Sequence, residues 1–185
     1  MNTDDDEIRS FICMEINDPA VVSKAKDIQA DFKDVAGKIK FVELENMHIT
    51  LKFLGNITMD TARKIYEILQ KEIFLENLDI EVKKVGQFRA SVLWCGIEDV
   101  QGIIAATQAR IEDALASQLG IEREKRPFEG HMTLARVKFL KDKKQFMDKV
   151  RELKDTYFGT QHVPEVLLKK SQLTPRGPIY TILNF

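Results

Sequence analysis

Two stretches decide how this chain is read: Asn46-Met47-His48-Ile49-Thr50-Leu51-Lys52-Phe53-Leu54-Gly55 and Gly130-His131-Met132-Thr133-Leu134-Ala135-Arg136. Each contains His-x-Thr-Leu, and the 185 residues hold only three histidines. With 10 Thr and 16 Leu in the chain, chance sets Thr at +2 and Leu at +3 of a given histidine about once in two hundred, too seldom for two copies by coincidence. The alternation around each histidine reads as a strand. Residues i and i+2 of a strand share a face, so each imidazole stands beside a hydroxyl.

Working outward, both motifs sit in the same succession of elements. A first strand is expected over residues 9–16, with Phe11 and Cys13 on one face and Ile12, Met14 and Ile16 on the other. Asp18-Pro19 opens a helix whose apolar stripe is Val21, Ala25, Ile28, Phe32 and Val35, stopped by Gly37. The first motif strand spans 47–54. Thr58 then caps a helix with Ala62, Ile65, Leu69 and Ile73 inward, and strands 78–88 and 91–97 follow. The second half gives a helix over 99–119 (stripe from Val100 to Leu115), the motif strand 130–140 and a helix over 142–155. Strands 163–173 and 178–184 end it, joined by the turn formers Thr174-Pro175-Arg176-Gly177.

Helix, motif strand, helix, strand, strand: the order occurs twice, at a period too long for a solenoid. The expected fold is α+β, a bilobal duplicated unit in which two antiparallel sheets face a central cleft with helices outside. Residues 1–185 form one domain, with halves of about 8–97 and 98–185 between which strands can be exchanged. A pseudo-twofold relation brings both histidines to the cleft.

Composition narrows the classes. A hydrophobic share of 44% with 31% charged residues describes a folded chain rather than a disordered one. The formal net charge of −1 does not indicate a general basic surface for nucleic acid, although a balanced total is compatible with a local basic patch. Cys13 and Cys95 lie in apolar runs and read as buried thiols. No apolar stretch approaches the roughly 20 residues of a membrane span, and the acidic start is unlike a signal peptide, so a cytoplasmic location is expected.

Imidazole titrates near neutrality, so two of them flanking one phosphorus can divide the work. One takes a proton from water; the other gives one to the departing oxygen. Threonine hydroxyls supply donors to the non-bridging oxygens. The spacing His-x-Thr is not that of a metal site, and neither metal nor other cofactor is expected.

The duplicated motif, with Phe53-Leu54-Gly55 after the first copy and Arg136 after the second, resembles the two-histidine phosphoesterase superfamily, and within it the LigT-like RNA 2′,3′-cyclic phosphodiesterases, historically called 2′-5′ RNA ligases. The likeness runs from Phe11-Ile12-Cys13-Met14 to the segment ending in Pro178-Ile179-Tyr180. It implies hydrolysis of an RNA 2′,3′-cyclic phosphate to a 2′-phosphate, with His131 as base, His48 as acid and Arg136 as the phosphate clamp. Alternatives are a 2′-5′ RNA ligase, a phosphodiesterase on a small cyclic nucleotide such as ADP-ribose 1″,2″-cyclic phosphate, and a non-catalytic RNA-end binding module. The expected partner is RNA with a cyclic phosphate end or a small cyclic nucleotide, bound by a monomer away from any membrane.

The remaining site residues follow from parity. Thr50 and Thr133 are phosphate donors. Lys52 shares a face with His48 and Thr50 and is a second cation for the phosphate. Arg136 falls on the wrong face by strict alternation, so a bulge is needed to bring it in. Phe53 and Tyr180 are candidates for stacking a base, with a core position the competing reading of each. His162 lacks the threonine and reads as a surface residue. Lys138–Lys144 is a solvated helix entrance, whereas Arg123-Glu124-Lys125-Arg126, leading into the second motif, is the better RNA contact.

Overall fold

The computed structural model describes residues 7–75, 78–175 and 177–185. The acidic start before Glu7, and Arg176 of the expected turn, lie outside them. Among the described residues nine strands and four α-helices follow one another as β1 (Glu7–Glu15), α1 (Pro19–Asp31), β2 (Gly37–Phe41), β3 (His48–Thr58), α2 (Met59–Glu72), β4 (Leu78–Phe88), β5 (Val92–Glu98), α3 (Ile103–Leu119), β6 (His131–Leu140), α4 (Lys143–Glu152), β7 (Tyr157–Val163), β8 (Leu167–Leu173) and β9 (Pro178–Ile182). Among the described residues no helix is long and apolar enough to cross a membrane.

Local chemistry sets most boundaries. The Asp18 carboxylate accepts from the amides of Ala20 and Val21 at 2.9 and 3.2 Å, and Pro19 occupies the first helical position of α1. Thr58 and Asp142 cap α2 and α4 in the same manner. Gly120, left-handed at φ 66°, ends α3.

Four expectations are corrected. Helix α1 stops at Asp31, and Gly37 opens an unforeseen strand, β2, instead of ending the helix. Helix α3 starts at Ile103 because Gly102 takes a left-handed φ of 68°; Val100 therefore leaves the apolar stripe and is 83% exposed. The strand expected over 163–173 is two strands parted around Pro164, and β7 was not foreseen. The expected two sheets are one antiparallel network of order β7-β4-β5-β6-β3-β1-β8-β9, with β2 also paired to β6.

The halves of that network meet at β3 and β6, joined by the single pair Ile49↔Met132. Strands are exchanged on either side. β8 and β9, late in the chain, extend the side of β1 and β3, while β4 and β5, from the first half, extend the side of β6. One face of the sheet carries the main core, where Ile12, Met14, Ile49, Leu93 and Met132 pack against Ile28, Ile65, Ile111 and Phe146 of the four helices. The other face is open over β3 and β6, with a small separate cluster of Phe11, Cys13 and Leu167. Both cysteines are free and buried; burial raises the Cys13 thiol to about 12.

Candidate active site

The pair Ile49↔Met132 fixes the site. Continuing that antiparallel register one residue each way sets His48 opposite Thr133 and Thr50 opposite His131. Ile49 and Met132 are fully buried, so all four polar residues lie on the open face, each half-buried. The two motifs interdigitate: each imidazole has the other motif's hydroxyl across the strand gap and its own two residues along.

Both rings are oriented alike. His48 Nδ1 lies 2.7 Å from the Asn46 carbonyl, and His131 Nδ1 lies 2.7 Å from the Glu129 carbonyl. A carbonyl only accepts, so each Nδ1 donates. Nε2 is then the working nitrogen on both rings, a base when neutral and an acid when protonated. Phe11 (4.9 Å between ring centres) and Tyr180 (5.4 Å, edge-on) flank His48; Phe88 (5.0 Å, edge-on) and Trp94 (6.5 Å) flank His131.

Burial holds the His48 pKa down, to about 4, against the Asn46 hydrogen bond that favours its proton; the charges of Lys169, Arg136 and His131 lower it further. An unfolded imidazole, near 6.5, therefore takes up a proton before the folded one does. Stability is intact above pH 6.5 and falls as pH drops to about 4, by roughly 3 kcal/mol at 1.4 kcal/mol per unit. Urea unfolding at pH 7 and pH 4 should show this loss, and His48→Gln should remove most of it.

The motif leucines explain where the two cations go. On β3, Cys13 pairs Thr50 while Ile12 pairs Lys52, which leaves Leu51 as a bulge; on β6, Trp94 pairs Thr133 while Leu93 pairs Ala135, which leaves Leu134 as a bulge. Each bulge reverses the alternation that follows. Arg136 is thereby carried onto the open face, where its charge acts on both His48 and Tyr180. Lys52 is carried the other way. Its ammonium is buried and donates to Glu112 Oε2 at 2.6 Å and to the Glu122 carbonyl at 2.8 Å. The expectation that Lys52 contacts phosphate is corrected: it ties the motif strand to α3 from beneath. Phe53, also reversed, stands 62% exposed on the open face opposite Phe11, so a core position is ruled out.

The bulge on β6 is held from below. Gln29 of α1, itself buried, donates from Nε2 to the carbonyls of Leu134 (3.0 Å) and Val42 (2.8 Å). Gln29→Leu leaves both acceptors with one donor fewer and frees the segment that aims Arg136. The value of kcat/KM is expected to fall about tenfold, mainly through KM, with about 1–3 kcal/mol lost from stability in urea.

Several residues of the site were not singled out in the sequence. Phe11, Phe88 and Trp94 line it, and Gly86 is bare because a Cβ there would run into the Trp94 indole. Lys169, buried on the same face, pairs with Glu15, the cross-strand neighbour of His48. Neither Trp94, on a strand without a histidine, nor Lys169 had a local signal. His162 is an exposed residue of β7 and pairs with Asp79 at 2.8 Å. Arg123 and Arg126 are exposed and bound to Asp113 and Glu124.

Comparison with known proteins agrees with this geometry. The family model described as the AKAP7 2′5′ RNA ligase-like domain matches residues 10–184. A protein of Methanocaldococcus jannaschii named RNA 2′,3′-cyclic phosphodiesterase is 36% identical over 96% of this chain and 99% of its own. Its namesake in Archaeoglobus fulgidus is 33% identical over 96% and 98%. Among solved structures, TT0787 of Thermus thermophilus superposes with a TM-score of 0.79 at 23% identity, covering 96% of each chain. E. coli LigT complexed with 3′-AMP gives 0.75 at 23%, covering 97% of each. With paired His-x-Thr motifs on adjoining central strands and a family match across almost its whole length, the chain belongs to the AKAP7/2′5′ RNA ligase-like family of LigT-type two-histidine phosphoesterases.

Proposed function

We propose that this protein hydrolyses RNA 2′,3′-cyclic phosphate ends to 2′-phosphates, as a monomer and without a metal ion. The observation that carries this is the pair of imidazoles on one face, each with Nδ1 committed to a carbonyl and Nε2 left for chemistry. Nε2 of His131 takes a proton from water, and the water oxygen attacks phosphorus. The bond from phosphorus to O3′ breaks, and Nε2–H of His48 delivers its proton to that oxygen. The hydroxyls of Thr50 and Thr133 donate to the non-bridging oxygens, and the Arg136 guanidinium neutralises the charge gathering there. Phe53 and Tyr180 offer rings to the terminal base. The curated relatives named RNA 2′,3′-cyclic phosphodiesterase support the same substrate.

One observation favours the exchanged assignment, with His48 as base: its depressed pKa leaves it neutral at pH 7. The acid role requires the anionic phosphate, seated against His48, to restore its proton. Joining to a 2′-5′ linkage breaks the same bond to O3′ with a 5′-hydroxyl in place of water and uses the same two groups; it is expected to be weak, because water far outnumbers 5′-hydroxyl ends.

The test is an oligonucleotide ending in a 2′,3′-cyclic phosphate, incubated with the protein in excess chelator. Conversion to the 2′-phosphate is expected. Retention without conversion identifies an RNA-end binder, and loss of turnover on chelation overturns the metal-free scheme. Turnover confined to ADP-ribose 1″,2″-cyclic phosphate moves the substrate to that class.

A further inference from the structure

We propose that Lys40 binds the phosphodiester one nucleotide inward from the cyclic end, so that the site prefers a polynucleotide terminus to a mononucleoside cyclic phosphate. The inference rests on the phosphodiesterase reading above. Lys40 lies on β2, the short strand beside β6, and its cross-strand partner is Arg136. Directly opposed residues share a face at about 5 Å between Cβ atoms. That face is the open one, since the flanking Ile39 and Phe41 pack against the core while Lys40 and Arg136 are both exposed. The row across the sheet therefore reads Lys40, Arg136, Val92, Phe88: two cations, then apolar side chains.

Like charges in this position repel, and an internal carboxylate would relieve them. Among the described residues neither Lys40 nor Arg136 takes part in an ion pair, although Lys83, Arg123, Arg126, Lys144 and Arg151 all do. Water and salt screen the repulsion between these exposed groups, and an anion bridging both would remove what remains of it. Arg136 is the clamp on the reacting phosphate in the reading above, carried onto the open face by the bulge at Leu134. Lys40 is one strand further out. Its Nζ would lie 4.0 Å from a Cβ placed on Gly177, at the turn between β8 and β9. The next residue, Pro178, accepts a hydrogen bond at 3.1 Å from the side chain of Asn46, whose own carbonyl orients His48. The ammonium thus stands at the rim, beside the segment that fixes one catalytic ring. In a polynucleotide the group next to the cyclic phosphate is another phosphate; a mononucleoside has none. Two adjacent cations, one at the reacting centre and one at the rim, match two consecutive phosphates.

The experiment compares kcat/KM on an oligonucleotide ending in a cyclic phosphate with that on the matching nucleoside 2′,3′-cyclic phosphate. Lys40→Gln is set against Lys71→Gln, which removes an equal charge from exposed α2. Lys40→Gln is expected to lower the oligonucleotide value about tenfold more than the mononucleoside value, through KM, and to reduce the salt slope for the oligonucleotide by about 0.7. A parallel fall on both substrates, no change on either, or the same effect from Lys71→Gln overturns the assignment. Failure of the underlying reading looks different: wild-type protein then hydrolyses neither substrate, and the inference falls with it.

Discussion

His131→Ala and His48→Ala are each expected to cut turnover of a cyclic-phosphate-ended oligonucleotide by about 10²–10⁴-fold, the range for one positioned acid or base. Neither should unfold the protein, since both rings are half-buried on the open face and their removal opens no large apolar cavity. The wild-type rate should describe a bell against pH, and each variant should keep one limb of it. The two losses differ in kind. An ester whose leaving group is a nitrophenolate departs without a proton, so the acid variant should recover on it and the base variant should not. Recovery of His48→Ala supports His131 as the base; recovery of His131→Ala reverses the roles, as the depressed His48 pKa favours. If either alanine variant keeps near-native rates on the cyclic substrate, paired acid–base catalysis is wrong. Thr50→Ala and Thr133→Ala each remove one donor to the phosphate and should cost about 10²-fold.

Much of this site was legible because its key relation is local. From His48 to Thr50, and from His131 to Thr133, strict alternation holds, so the shared face of ring and hydroxyl could be read from spacing. One residue later it fails in both motifs, at the buried leucines Leu51 and Leu134. A single cause thus accounts for both cations: it misplaces Lys52, which strict parity drew to the cleft, and it is the bulge that Arg136 was expected to need. Sequence marks such a bulge only through its consequence, an arginine that must reach in. Strand exchange was equally hidden. Lys169 reaches the floor beside His48 because β8 pairs with β1 across most of the chain, which local periodicity does not report. The strands missed, β2 and β7, are short, and each pairs at the margin of the sheet, where a two-residue period has little length to show itself.

Lys52→Met is expected to produce the largest loss of stability of any change near the site, about 3–5 kcal/mol in urea, with the catalytic groups untouched. The reason is Glu112. In the native protein its side chain is 8% exposed, and among the described residues it accepts, besides Lys52, only from Gln108 Nε2 at 3.1 Å and the Glu124 amide at 3.3 Å. Two neutral donors do not compensate a buried carboxylate, so removal of the ammonium leaves a charge that must be protonated or drag water inward. The Glu122 carbonyl loses its donor as well. Taking out both charges with Lys52→Met and Glu112→Leu together should restore most of the loss, because desolvation of the pair cancels much of its attraction. The same cycle separates a structural lysine from one that grips substrate. A phosphate ligand would leave the urea midpoint in place and raise KM in the single and double variants alike. The buried pair predicts the reverse: a lowered midpoint for Lys52→Met, recovery in the double variant, and KM close to wild type once the protein is folded.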